Sequence, residues 1–67
     1  MYWYTGKDVK QSDIVAAIDY HRRKYPSDTA CVVYVHPSQI GTLHSEMGIP
    51  VRPDKRVIKG NIFVAVA

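Results

Sequence analysis

A single cysteine, Cys31, constrains this chain more than any other feature, because one thiol cannot form an internal disulfide. At 67 residues, a chain buries only about 60% of its unfolded surface, and chains this small are commonly reinforced by disulfides or metals. With 46% hydrophobic and 22% charged residues, the composition is that of a globular protein. We therefore expect one domain, residues 1–67, with one small core and added stability from self-association into a dimer or larger assembly.

The clearest predicted element is a helix over residues 12–25. Ser12 is the expected N-cap, Asp13 suits the first turn, and Pro26 ends the helix. Its apolar stripe recurs at helical spacing, and the residues expected to face the core are Ile14, Ile18, His21 and Tyr25.

The segment ACVVYV at 30–35 is the strongest strand. Both of its faces are largely apolar, which is typical of a central strand. Alternation predicts that Cys31, Val33 and Val35 point to one side, with Tyr34 on the other. Cys31 is therefore expected to be a small buried hydrophobe rather than a reactive thiol.

A second, shorter helix is predicted after this strand. Pro37 suits its first position, and Gly48 suits its end. Ile40, Leu43 and Met47 fall at helical spacing and are expected to form its buried side. The His36-Pro37-Ser38 corner is read as a hinge in which the His36 ring caps the helix, in preference to a catalytic corner.

Three further strands complete the predicted order β-α-β-α-β-β: YWYT at 2–5, IPVRP at 49–53 and NIFVAVA at 61–67. The predicted fold class is α+β, with two helices packed on one face of a four-stranded mixed sheet. The other face would be exposed, and Tyr34, Phe63 and the N-terminal aromatic residues are candidates to line it. The apolar last strand would pair with another chain unless a neighbouring strand covers it.

Residues suited to catalysis or metal binding are scattered along the sequence. His21, His36 and His44 lie on different predicted elements, without the helical spacing of a zinc site. Cys31 and His36 are five residues apart, so alternation along one strand separates their side chains. We expect no enzymatic activity, cofactor or metal; a small enzyme or ligand binder that uses His36, Cys31 or His44 is the least favoured alternative.

The basic residues support a second function class, a nucleic-acid-binding module. Seven of the nine Lys and Arg residues fall at the end of the first helix and in the 52–59 segment. If these segments meet, they form a phosphate-binding patch, whose residues are Arg22, Arg23, Lys24, Arg52, Lys55, Arg56 and Lys59. The net charge of +3 permits an anionic partner but does not require one.

No apolar run approaches the roughly 20 residues that span a bilayer, and the first residues lack the basic-then-apolar pattern of a signal peptide. The expected location is therefore cytoplasmic, with no membrane contact.

Residues 13–67 resemble part of the axial domain of major capsid proteins from tailed bacteriophages and encapsulin shells. The matching segments, in order, are DIVAAIDYHRRKYP, CVVYVHP, SQIGTLHSEM, GIPV and KGNIFVAVA. His36 stands where that family usually has Asn. The resemblance implies the helix–strand–helix–strand order, a phage or mobile-element origin, and a role in assembly contacts rather than catalysis. The leading hypothesis is therefore a non-enzymatic protein that acts through protein–protein contact or self-assembly.

Overall fold

A computed structural model describes residues 1–66 of the chain. It has one α-helix, α1, and a single four-stranded sheet, which confirms the α+β class. The elements are β1 (Tyr2–Tyr4), α1 (Gln11–Lys24), β2 (Ala30–Val35), β3 (Val51–Pro53) and β4 (Asn61–Val66). Ala67, predicted as the last residue of the final strand, lies outside the described residues.

The strand order in the sheet is β1-β4-β2-β3. β4 is antiparallel to both of its neighbours, and β3 is parallel to β2, so the predicted mixed sheet is confirmed. β4 therefore has a neighbouring strand along each of its edges and offers no long apolar edge to another chain. The outer strands β1 and β3 have three residues each, and short edge strands limit pairing with other chains.

One side of the sheet packs against α1 and forms the core. Side chains from β2 and β4 alternate, and those that point toward the helix are buried. The core cluster consists of Ile14, Ala17, Ile18, Ala30, Val33, Val35, Ile62 and Val64. Trp3 of β1 is partly buried against this cluster and lies 5.0 Å from Tyr20 of α1, measured between ring centroids.

Helix α1 begins earlier than the sequence predicts, and the prediction of Ser12 as N-cap is wrong. The N-cap is Lys10, and Asp13 occupies the third helical position. The backbone N–H of Lys10 donates to the Asp13 carboxylate at 2.8 Å. A carboxylate in the first turn also interacts favourably with the helix dipole, so Asp13 explains the start of the helix without the Ser12 hydroxyl.

The second predicted α-helix is absent from the described residues, where a single 3₁₀ turn at Pro37–Gln39 takes its place. Gly41 has a φ of 38°, and the pair Met47 and Gly48 has φ values of 53° and 76°. These left-handed conformations are incompatible with a continuous right-handed helix. Met47, expected on a buried helix face, is 45% exposed.

The predicted orientation of Cys31 is also wrong. Cys31 is exposed, whereas Val33 and Val35 are buried. The register between β2 and β4 shifts between Ala30 and Val32, so Cys31 is an extra residue in the ladder, a β-bulge. The bulge returns Ala30 to the core side and leaves the thiol in solvent.

Candidate functional site

The residues considered for catalysis do not converge. Cys31 lies near the start of β2 and His36 follows its end, a separation of about 16 Å along an extended strand. The His36 Nδ1 accepts a hydrogen bond from the Ser38 N–H at 3.1 Å, which confirms the predicted capping role. Within residues 1–66, no group of three or more His, Cys, Asp or Glu side chains is placed to hold a metal ion.

His21 differs from the other two histidines because it lies in the protein interior. It is 2% exposed, and its Nδ1 has no hydrogen-bond partner among the described residues. Its ring lies 5.2 Å from that of Tyr25, measured between centroids. His21 therefore contributes to packing beneath the C-terminal part of α1 and is not part of a polar cluster.

The two basic segments lie at opposite ends of the sheet. Lys24 ends α1 shortly before β2 begins at Ala30, whereas Asp54 in the second segment donates its N–H to Val35 at the far end of β2. Six strand residues extend over about 20 Å. The seven predicted residues therefore do not form one continuous patch.

Lys24 and Arg22, at the end of α1, contact other side chains of the domain. The Lys24 Nζ lies 5.6 Å from the ring centroid of Tyr20 and 5.8 Å from that of Tyr25. Arg22 points toward Met47, with 3.3 Å between its Nη1 and the Met47 Sδ. The Lys24 contacts are cation–π interactions within the helix end, and the Arg22 contact joins the helix to the segment that precedes β3.

The second basic segment contains an ion pair in the turn between β3 and β4. The Arg56 guanidinium donates two hydrogen bonds to the Asp54 carboxylate, at 3.1 Å from Nε and 2.8 Å from Nη2. These side-chain hydrogen bonds, with one from the Arg56 backbone, lower the pKa of Asp54 to about 2. Asp54 in turn raises the pKa of Arg56, first through its side-chain hydrogen bonds and then through its charge.

The side of the sheet opposite α1 carries a row of side chains that crosses all four strands. Tyr2 of β1 is aligned with Phe63 of β4, Phe63 with Tyr34 of β2, and Tyr34 with Arg52 of β3. The ring centroids of Tyr2 and Phe63 are 4.8 Å apart. We call these four residues, Tyr2, Phe63, Tyr34 and Arg52, the aromatic face.

The aromatic face is accessible and is not negatively charged. Tyr2 is 59% exposed, Arg52 is exposed, and Tyr34 and Phe63 are partly exposed. None of the four described strands contains Asp or Glu. Arg56 lies four residues after Arg52, in the turn that follows β3. The face therefore combines aromatic rings with positive charge.

Sequence reasoning named the aromatic candidates for this side of the sheet but missed their alignment with Arg52. Alternation along each strand was sufficient to assign Tyr34 to the side opposite Val33. Alignment across strands depends on register, and no local signal in the sequence specifies which residue of β4 or β3 lies beside Tyr34.

Comparison with protein-family models, with curated proteins and with solved structures found no match for this chain. The resemblance of residues 13–67 to capsid axial domains accordingly stays a prediction. Among residues 1–66, no helix has the length and apolar character needed to cross a membrane.

Proposed function

We propose that this chain is a non-catalytic contact module and that the aromatic face is its contact surface. The observation that carries this proposal is the row of three aromatic rings on the side of the sheet opposite α1. Tyr, Phe and Arg are enriched in protein interfaces, and Tyr and Arg are among the residues that contribute most to binding energy. A half-exposed ring such as Tyr2 leaves apolar area that a partner can bury.

The dispersal of the reactive side chains supports the non-catalytic part of the proposal. Nucleophilic catalysis needs a base within hydrogen-bond reach of the nucleophile, and Cys31 and His36 are separated by most of β2. The His36 ring is occupied in capping the 3₁₀ turn. The resemblance to a capsid domain that makes assembly contacts points in the same direction.

Self-association is the form of contact that can be measured with no other molecule present. Sheets pack face to face at about 10 Å with interdigitating side chains, and a second copy would bury the rings of the aromatic face. Because β4 is central and the edge strands are short, we assign this contact to the face of the sheet rather than to its edges.

Sedimentation equilibrium over a wide range of protein concentrations tests the proposal. The face variant carries Tyr2→Ser, Tyr34→Thr and Phe63→Thr, and the control carries Tyr20→Ser and Tyr25→Ser on the helix side. We expect the apparent mass of the wild type and of the control to rise with concentration, while the face variant stays monomeric and folded by circular dichroism.

Association of the face variant equal to that of the wild type would show that the contact lies elsewhere. A wild-type chain that is monomeric at every concentration and also binds none of the ligands described below would overturn the contact function itself.

A further inference from the structure

We infer that the aromatic face binds single-stranded nucleic acid, with bases stacked on Tyr2, Phe63 and Tyr34 and phosphates beside Arg52 and Arg56. This inference rests on the proposed function, because it names the class of partner for the same surface. It also differs from the basic patch predicted from sequence, since it uses only the residues that the register of the sheet brings together.

The spacing of the rings favours separated bases. Tyr2 and Phe63 are 4.8 Å apart between centroids, and Tyr34 occupies the next strand, about 4.8 Å further across the sheet. The bases of a duplex are paired and stacked on one another, so their faces are not available to aromatic side chains. A single strand can spread its bases and stack each one on an aromatic side chain.

The charge of the face suits a phosphate backbone. Arg52 ends the row of aromatic side chains, and the described strands contribute no carboxylate. The Arg56 side chain is 89% exposed while paired with Asp54, so its guanidinium remains accessible to an anion. An arginine also stacks on bases and binds phosphate oxygens with two hydrogen bonds, which lysine does not do.

The same charge weighs against a second copy as the preferred occupant. Each copy has a formal net charge of +3, so two copies that meet face to face bring like net charges together. Repulsion between like charges disfavours this arrangement at low salt, whereas the release of counterions favours a polyanion under the same conditions. Nucleic-acid binding should therefore displace a self-associated form.

Fluorescence anisotropy with labelled decamers of uridine and thymidine, and with a labelled ten-base-pair duplex, tests the inference on the full chain. The variants are Phe63→Thr, Tyr34→Thr and Arg52→Gln, with Arg23→Gln as a control of the same charge change at the opposite end of the sheet. Circular dichroism confirms that each variant is folded.

We expect both single strands to bind more tightly than the duplex, and binding to weaken as salt rises. Loss of one stacking ring should weaken binding by about 5- to 100-fold. Arg52→Gln should lower the slope of log K against log salt by about 0.7, the value for one phosphate contact on a single strand. Arg23→Gln should leave both the affinity for single strands and the slope close to those of the wild type.

Three results would overturn the inference. Absence of oligonucleotide binding at low salt, in a chain that self-associates through the face, would exclude nucleic acid and leave the contact function standing. If Arg23→Gln weakens binding as much as Arg52→Gln does, and Phe63→Thr leaves binding unchanged, then the nucleic acid binds to the basic segments. Equal affinity for the duplex would rule out stacking on the rings.

Discussion

At the residue scale, Gly60 is the glycine with the least room for a side chain. Its φ is +82°, and a Cβ built there would lie 2.5 Å from the carbonyl oxygen of Gly6. Its N–H also donates to the Gln39 Oε1 at 2.6 Å. The connection after β1 and the turn before β4 therefore approach each other more closely than any side chain would permit.

We expect Gly60→Ala to lower the free energy of unfolding by about 2–5 kcal/mol. This figure is the cost of placing alanine in a left-handed conformation added to the cost of its steric clash with the backbone. Gly48→Ala is the matched control, because Gly48 has a φ of +76° but open space around the same position. It should cost only about 1–2 kcal/mol. Urea denaturation measures both values, and equal losses would show that the close approach to Gly6 has no energetic consequence.

The Asp54–Arg56 pair predicts a pH dependence that is confined to strong acid. The pKa of Asp54 falls from its ordinary value of 3.8 to about 2. Because the pKa of Asp54 is lowered in the folded state, the ion pair stabilises the folded state fully at pH values above 3.8. This stabilisation is lost as the pH falls through about 2. An NMR titration of the Asp54 carboxyl carbon should give a midpoint near 2.

Arg56→Gln supplies the comparison for this titration, because it removes the charge and both guanidinium hydrogen bonds. The Asp54 midpoint should then return toward 3.8. An unchanged midpoint in the variant would mean that the Arg56 side chain is not what lowers the pKa.

At the scale of elements, the local sequence pattern predicts a helix or strand correctly where particular residues mark its ends. The bounds of β2, Ala30–Val35, are as predicted, because β-branched residues fill the strand and the His36–Pro37 corner ends it. The prediction of a second helix is wrong. The apolar spacing of Ile40, Leu43 and Met47 agrees with a helix, but positive φ values at Gly41 and Met47 interrupt the helical backbone. The spacing of side chains carries no information about such interruptions.

The bulge in β2 gives a prediction about the single thiol. Cys31 is exposed, so a thiol reagent can reach it in the folded protein. We expect a disulfide reagent such as DTNB to label one equivalent of thiol in the folded protein, at a rate close to that in denaturant. Cys31→Ser should change the free energy of unfolding by less than about 0.5 kcal/mol, as for other surface substitutions.

Labelling that requires prior unfolding would contradict this arrangement. It would place Cys31 on the core side with Val33 and Val35, as strict alternation predicts. The sequence could not reveal the bulge, because a bulge is defined by the partner strand: two residues of β2 oppose one residue of β4.

At the scale of the whole molecule, the class of fold follows from the order of elements, but the candidate site does not. The composition and periodicity of the chain predict one α+β domain with a mixed sheet. They leave the strand order open, and the order β1-β4-β2-β3 is what aligns Tyr2, Phe63, Tyr34 and Arg52. The basic segments are separated by the length of β2, because α1 ends shortly before that strand begins and Asp54 lies at its far end.

Neighbouring residues of β4 lie in opposite environments on the two sides of the sheet. Ile62 is fully buried against α1, and Phe63, the next residue, is partly exposed on the aromatic face. A domain of this length is stable by about 3–10 kcal/mol. Ile62→Thr should cost about 2–5 kcal/mol, because it removes a buried apolar side chain and buries a hydroxyl.

Phe63→Thr should cost much less, about 0.5–1.5 kcal/mol for the lost contact with Tyr2, because threonine keeps the strand propensity of the position. Urea denaturation of the two variants side by side measures the difference. If the aromatic face is free for contact with a partner, Ile62→Thr lowers the free energy of unfolding much more than Phe63→Thr does, and Phe63→Thr leaves a folded domain with a changed surface. Equal losses would mean that Phe63 belongs to the core and that the sheet has no side free for a partner.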